Sequence, residues 1–264
     1  MRDLARSVPS LSGFLLLMAD LAERQARLIA TNTGRAVSLE RNLPGTLIDT
    51  EWGEKLVPVL QVLLKDLPAP SAAVSQTLTR IADADDSAVN RWVADLRSGQ
   101  PLPADVAVLP FIAAALQLEL TCLAAEVEPG SHGHDQGGEA SRCPVCANWP
   151  IASMLQTVGD TQGLRYLHCG FCASAWSHPR IQCVNCGSSE HLAYQSIEGT
   201  DTGEQAETCD ACHVYLKRID RDKKPGADPI ADDLATLGLD LMLNERGYQR
   251  LGMNPFLLIP AELG

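Results

Sequence analysis

The chain has 264 residues, 45% of them apolar, which is enough to bury one large core or two small ones. A formal net charge of -12 excludes the basic footprint that nucleic acid or an anionic membrane surface attracts. No apolar run approaches the ~20 residues of a membrane span, and the run at 14–19 is broken at once by Asp20, Glu23 and Arg24. Arg2 and Arg6 ahead of that run mimic a secretory signal, but it is too short to serve as one. The prediction is a cytoplasmic protein whose nine cysteines stay reduced, so that clustered ones bind metal.

In chain order, residues 11–31 predict a helix with Phe14, Met18, Leu21 and Leu28 on one face and Leu15, Ala22 and Ile29 beside it. Asp49-Thr50 offers an N-cap for a second helix through Leu67, with Pro58 predicting a kink or a late start. A third helix is expected at 71–82. A fourth starts at Asp86 or Ser87, buries Val89, Trp92, Val93 and Leu96, and stops before Gly99. A fifth, the most apolar, covers 104–127 with Pro110 inside it. Residues 1–127 therefore predict an all-helical domain without a catalytic motif.

Residues 128–142, "EPGSHGHDQGGEASR", bury too little apolar surface to fold and predict a linker, in which His132 and His134 are solvated. Beyond it, eight cysteines form four C-x-x-C pairs: Cys143/Cys146, Cys169/Cys172, Cys183/Cys186 and Cys209/Cys212. Adding 40 to each of the first four gives the other four, so the chain carries a tandem repeat, 143–182 and 183–222. A C-x-x-C turn converges two thiolates on one ion, and two turns complete a tetrahedral shell. The segments between the turns carry β-branched and aromatic residues around Gly-Asp and Thr-Gly signals, as hairpins do. The layout is that of a zinc ribbon or rubredoxin-like fold.

Four knuckles can pair in three ways; the repeat favours sequential pairing, Cys143, Cys146, Cys169 and Cys172 on one ion and Cys183, Cys186, Cys209 and Cys212 on the other. Four thiolates suit iron as well as zinc, and ligand type does not separate a structural staple from a redox centre. A thioredoxin-like context for disulfide exchange is absent. Cys122 is expected as a buried small residue, and His168, His178, His191 and His213 as neighbours of already saturated sites. Trp149, Tyr166, Trp176 and Tyr215 are expected to pack the ribbons. From 143 to 221 there are five Lys and Arg against eight Asp and Glu, which speaks against a zinc-ribbon nucleic-acid binder. After the repeat, residues 223–264 predict a C-terminal helix at 227–246, with Ile230, Leu234, Leu237 and Leu241 on one face and Gly247 as its cap, and an apolar tail that docks on the body. The fold class is α+β.

The series "CPVC", "TQGLRYLHCGFC", "ETCDACHVYLK", "DPIADDLATLGLD" and "GYQRLGMNPFL" resembles the FdhE family of formate dehydrogenase accessory proteins over about residues 140–257. The resemblance implies a non-enzymatic cytoplasmic factor for maturation of respiratory, molybdenum-containing formate dehydrogenase that binds its catalytic subunit. It further implies two rubredoxin-like modules, each with iron on the four cysteines named above, zinc being the alternative metal. An electron-transfer role for that iron during cofactor insertion is the competing expectation. Gln162, Arg165 and Tyr166, large polar groups around Gly163, are the candidates for the partner surface. Where the family has glycine after the first knuckle this chain has Ala147, and only Gly187 keeps glycine at that position, so strain or an altered metal affinity is expected at the first site.

Overall fold

The computed structural model describes residues 1–31, 51–98, 102–126, 141–158, 160–197 and 203–257. Residues 128–140 of the expected linker, with His132 and His134, and the expected N-cap at Asp49-Thr50 lie outside the described residues. Two compact units result: Met1–Glu126 together with Pro255–Gly264, and Val127–Asn254.

The first unit is helical, with α1 (Arg2–Ser7), α2 (Ser12–Thr31), α3 (Gly53–Leu64), α4 (Ala72–Ala82), α5 (Asp86–Ser98) and α6 (Leu109–Ala125). Nearly every residue from Leu109 to Leu120 of α6 is buried, as expected of a helix that is apolar all round and central. Pro110 does not interrupt this helix. It lies in the first turn, where its missing N–H has no intrahelical partner to lose, so the helix begins later than the pattern predicts. In α2 the core face runs through Leu15, Met18, Leu21 and Gln25, leaving Phe14 and Leu28 half-buried. Gln25 was invisible to a hydrophobic pattern; its amide donates to the Ala114 carbonyl at 2.8 Å and the Gln117 side chain at 2.9 Å. Helix α3 tolerates Pro58 and is capped from outside, the Asn90 side chain accepting from the N–H groups of Trp52 and Gly53. Cys122 is half-buried rather than buried.

The second unit is built on one sheet: β1 (Pro150–Val158), β2 (Thr161–Cys169), β3 (Ala175–Ser177), β4 (Leu192–Gln195), β5 (Glu204–Cys209) and β6 (Val214–Asp220), with β7 (Gln249–Arg250) beside β6. The strand order is β3-β2-β1-β6-β5-β4. Within each repeat the strands are antiparallel neighbours, Met154 facing Tyr166, Leu167 facing Trp176 and Thr208 facing Tyr215. The repeats join through a parallel pairing of β1 with β6, Ala152 opposite Lys217 and Met154 opposite Ile219. This is what translation of a three-stranded module produces. Its outer strands run parallel to each other, so the last strand of one copy meets the first strand of the other in parallel.

Alternation assigns the two faces. On one, Ala152, Met154 and Ile219 pack with Ile151, Ala227 and Ile230 under α7 (Pro229–Ala235). Ala206, Tyr215 and Leu243 form a second small cluster on the same face under α8 (Leu237–Glu245). The single helix expected at 227–246 is thus broken at Thr236, whose backbone carbonyl is taken by the Lys217 ammonium at 3.1 Å. Beyond β7, Gly252 passes so close to β1 that a Cβ there would stand 1.8 Å from the Pro150 carbonyl oxygen.

Candidate metal centres

Two cysteine pairs form tight turns ahead of β1 and β4, and two form tight turns where β2 and β5 end. In three of the turns the N–H four residues on returns to the first cysteine's carbonyl: Ala147 to Cys143 at 2.9 Å, Gly187 to Cys183 at 2.9 Å and His213 to Cys209 at 2.8 Å. All four residues that follow a second cysteine adopt the left-handed conformation, with φ of 57° at Ala147, 57° at Ala173, 74° at Gly187 and 54° at His213. Ala147, Ala173 and His213 are not glycine, so each of their three turns stores about 1–2 kcal/mol of backbone strain. The strain expected at the first site is therefore present at both.

The turns bring the sulfurs together in two groups, Cys143, Cys146, Cys169 and Cys172 in one and Cys183, Cys186, Cys209 and Cys212 in the other, with all four atoms of each group within 4.8 Å of one another. Sγ–Sγ distances are 3.4 Å for Cys143–Cys172, 3.3 Å for Cys146–Cys169, and 3.7 Å for both Cys183–Cys212 and Cys186–Cys209. A disulfide needs about 2.05 Å, so none forms. A tetrahedron with metal–sulfur bonds of about 2.3 Å has edges near 3.8 Å, which the second group matches and the first approaches. The donor set fits a four-thiolate ion at both places.

The local electrostatics also fit. In the first group, hydrogen bonds from Cys143, Cys146 and Cys169 hold the Cys172 thiol far below the ordinary thiol range, while Cys146 and Cys169 are driven up. A divalent ion bound by such a cluster would displace the thiol protons. In the second group the backbone N–H of Ser188 lowers Cys186, whereas burial raises Cys183 and Cys209.

Among the neighbouring histidines, burial presses His178 down to about 4, aided by Arg165, and leaves its Nε2 without a hydrogen-bond partner. His213 rests against Tyr248 with ring centroids 6.0 Å apart. Trp176 and Tyr215 are buried, while Trp149 is half-buried beneath the Arg142 guanidinium at 4.2 Å. Arg165, expected at a partner surface, is 2% exposed. Its guanidinium donates to Glu207 at 2.8 Å and to the carbonyls of Gln182 at 2.9 Å and Pro179 at 3.3 Å, so it ties the two repeats and their connection together. Gln162 is exposed and Tyr166 half-buried.

Sequence reasoning missed a buried ionic network opposite the Arg165 face. The Lys217 ammonium meets Asp240 at 2.6 Å, Asp233 at 3.0 Å and the Asp233 carbonyl at 2.9 Å. Arg250 reaches Asp233 at 2.6 Å and Asp240 at 3.3 Å, Asn254 donates to Asp233 at 2.8 Å and the Tyr215 hydroxyl donates to Asp240 at 2.7 Å. Burial works to raise Asp233, but Arg250 and Lys217 outweigh it and hold the carboxyl below the usual range. The segments "DPIADDLATLGLD" and "GYQRLGMNPFL" supply most of these groups, and the charges balance, two against two.

A helical unit joined to a duplicated ribbon with two four-thiol clusters defines a class of tandem metal-knuckle proteins. The profiles of the FdhE N-terminal region, central domain and C-terminal domain match residues 1–135, 142–180 and 181–257. The chain is 35% identical over 270 residues to the Protein FdhE homolog of Haemophilus influenzae strain PittEE, covering 99% of this chain and 87% of that protein. It is 37% identical over 216 residues to Protein FdhE of Escherichia coli O1:K1 / APEC, covering 81% of this chain and 67% of that one. The crystal structure of the FdhE protein from Pseudomonas aeruginosa superposes with a TM-score of 0.80 at 34% identity, covering 98% of this chain and 94% of that chain. The chain belongs to the FdhE family.

Proposed function

We propose that this chain is a cytoplasmic, non-catalytic assembly factor in the maturation of respiratory, molybdenum-containing formate dehydrogenase, and that it binds the catalytic subunit of that enzyme. The observation that carries the proposal is the pair of four-thiol clusters in a chain of the FdhE family. Cys143, Cys146, Cys169 and Cys172 hold one ion and Cys183, Cys186, Cys209 and Cys212 the other, iron by family resemblance and zinc as the alternative. A bound ion would cross-link the two turns of each repeat, and iron would add one-electron chemistry. Among the described residues no helix is long and apolar enough to cross a membrane. The net charge of -12 suits a client with basic patches.

The test is capture of the formate dehydrogenase catalytic subunit by the full chain, with metal analysis on protein purified without oxygen. Wild type is expected to retain the subunit and one ion per cluster. Gln162→Ala with Tyr166→Ala is expected to weaken capture at unchanged metal content; unaltered capture overturns that surface, and no capture by wild type overturns the role. Arg165 is set aside because its removal would strand buried Glu207. A second reading, electron transfer by rubredoxin-like iron, is favoured by the exposure of Cys186. Zinc in both clusters would remove it.

A further inference from the structure

The two clusters arise from one repeat but are finished differently. The turns of the first are Pro144-Val145 and Gly170-Phe171, and Val145 and Phe171 are buried. Those of the second are Val184-Asn185 and Asp210-Ala211, and Asn185, Asp210 and Ala211 are exposed. All four cysteines of the first cluster are buried, whereas Cys186 is exposed and Cys212 half-buried. The sulfurs also have different neighbours. In the first cluster the Asn148 amide donates to Cys146 Sγ at 3.3 Å and the Ser174 hydroxyl lies 3.2 Å from Cys172 Sγ. Forty residues on, the same places hold Ser188, whose hydroxyl accepts from the Glu190 N–H, and Val214, which has no side-chain donor.

Ligand exchange at a four-thiolate ion requires that an incoming donor reach the ion or that a proton reach a leaving sulfur, and both require access. Groups hydrogen-bonded to the ligands slow the loss further. We infer that the second cluster is an exchangeable metal site, able to take up and surrender its ion within the folded protein, while the first gives up its ion far more slowly. Cys186 is the sulfur that lets go: its bond to the ion breaks as a competing thiolate or chelator donor forms one, the freed sulfur takes a solvent proton, and no electrons move. The inference rests on the proposal that both clusters bind metal.

The full chain is loaded with zinc without oxygen, its content measured, and an excess of a chromophoric chelator added. Release is expected in two equal phases, one about tenfold or more faster than the other. Iodoacetamide added during the fast phase, with peptide mass spectrometry, is expected to label Cys183, Cys186, Cys209 and Cys212 and to spare the first four. Ser188→Asn with Val214→Ser should slow the fast phase, and Asn148→Ser with Ser174→Val should hasten the slow one. A single phase, or early label on the first cluster, overturns the inference. Failure to retain one zinc ion per cluster overturns the metal-binding proposal beneath it.

Discussion

The helical unit and the sheet unit are comparable in length and held together by opposite means. The helical unit has an ordinary apolar interior, in which Leu15, Leu21, Trp52, Leu56, Leu63, Trp92, Leu96 and Ile112 are fully buried. The sheet unit buries small apolar clusters such as Ala152, Met154 and Ile219, and spends much of its interior on Arg165, Glu207, Lys217, Asp233 and the cysteines. A repeat of short strands cannot assemble a large core, so buried charge pairs take over, joined by cross-links wherever the cysteine clusters bind metal. Such interactions are all-or-none. An apolar core degrades by increments, whereas a four-thiolate shell or a neutral charge quartet fails when one member is lost.

Metal removal is the largest lever on this contrast. Stripping both ions is expected to withdraw on the order of 10 kcal/mol from the sheet unit, most of it at the first cluster, and to leave the helical unit folded. Hydrogen exchange checks it: amides of β1 to β6 should lose protection while those of α6 keep theirs. Equal loss in both units would remove the contrast.

Next in size is the charge quartet. Asp233→Ala leaves Lys217 and Arg250 short of a carboxylate and is expected to cost about 3–5 kcal/mol, read as a shift of the sheet unit's denaturation midpoint at full metal occupancy. In the helical unit, Leu56→Ala should cost roughly 2–5 kcal/mol and leave metal affinity unchanged, which calorimetry and metal titration would report together.

The smallest effect is the pH dependence that His178 gives the sheet unit. His178 titrates at about 4 in the folded chain and 6.5 when free, so the unfolded chain takes up the proton first as pH falls. The stabilisation is complete above pH 6.5, declines through the interval down to about 4, and then levels off. His178 is partly exposed, so the slope is expected to stay well below about 1.4 kcal/mol per pH unit. Subtracting the profile of His178→Gln isolates it.

The parts of this architecture that were legible in the sequence are those with short-range signatures. The interval of 40 between cysteines announced the repeat, and most helices of the first unit follow their apolar spacing. What escaped depends on contacts distant in sequence. Nothing near Ala152 predicts that it will lie beside Lys217, because a parallel pairing between repeats has no turn to announce it. Arg165 looked like a surface group because its partner Glu207 is 42 residues away. Thr236 splits a continuous apolar pattern because its carbonyl is needed by a lysine on the sheet. Ala147, Ala173 and His213 accept a backbone conformation that their side chains disfavour because the turn dictates it.

The translational joining of the repeats also bears on self-association. A seam of this kind has no built-in end: β4 is the counterpart of β1 and so carries the kind of edge to which β6 pairs, and β3 is the counterpart of β6. Among the described residues both are paired on one side only, so two molecules carry complementary halves of the junction that each uses internally. The chain shortens these margins, three residues in β3 and four in β4 against nine in β1, leaving a neighbouring molecule few backbone groups to grip. Brevity at the margins thus guards a duplicated ribbon against continuing itself as a fibre.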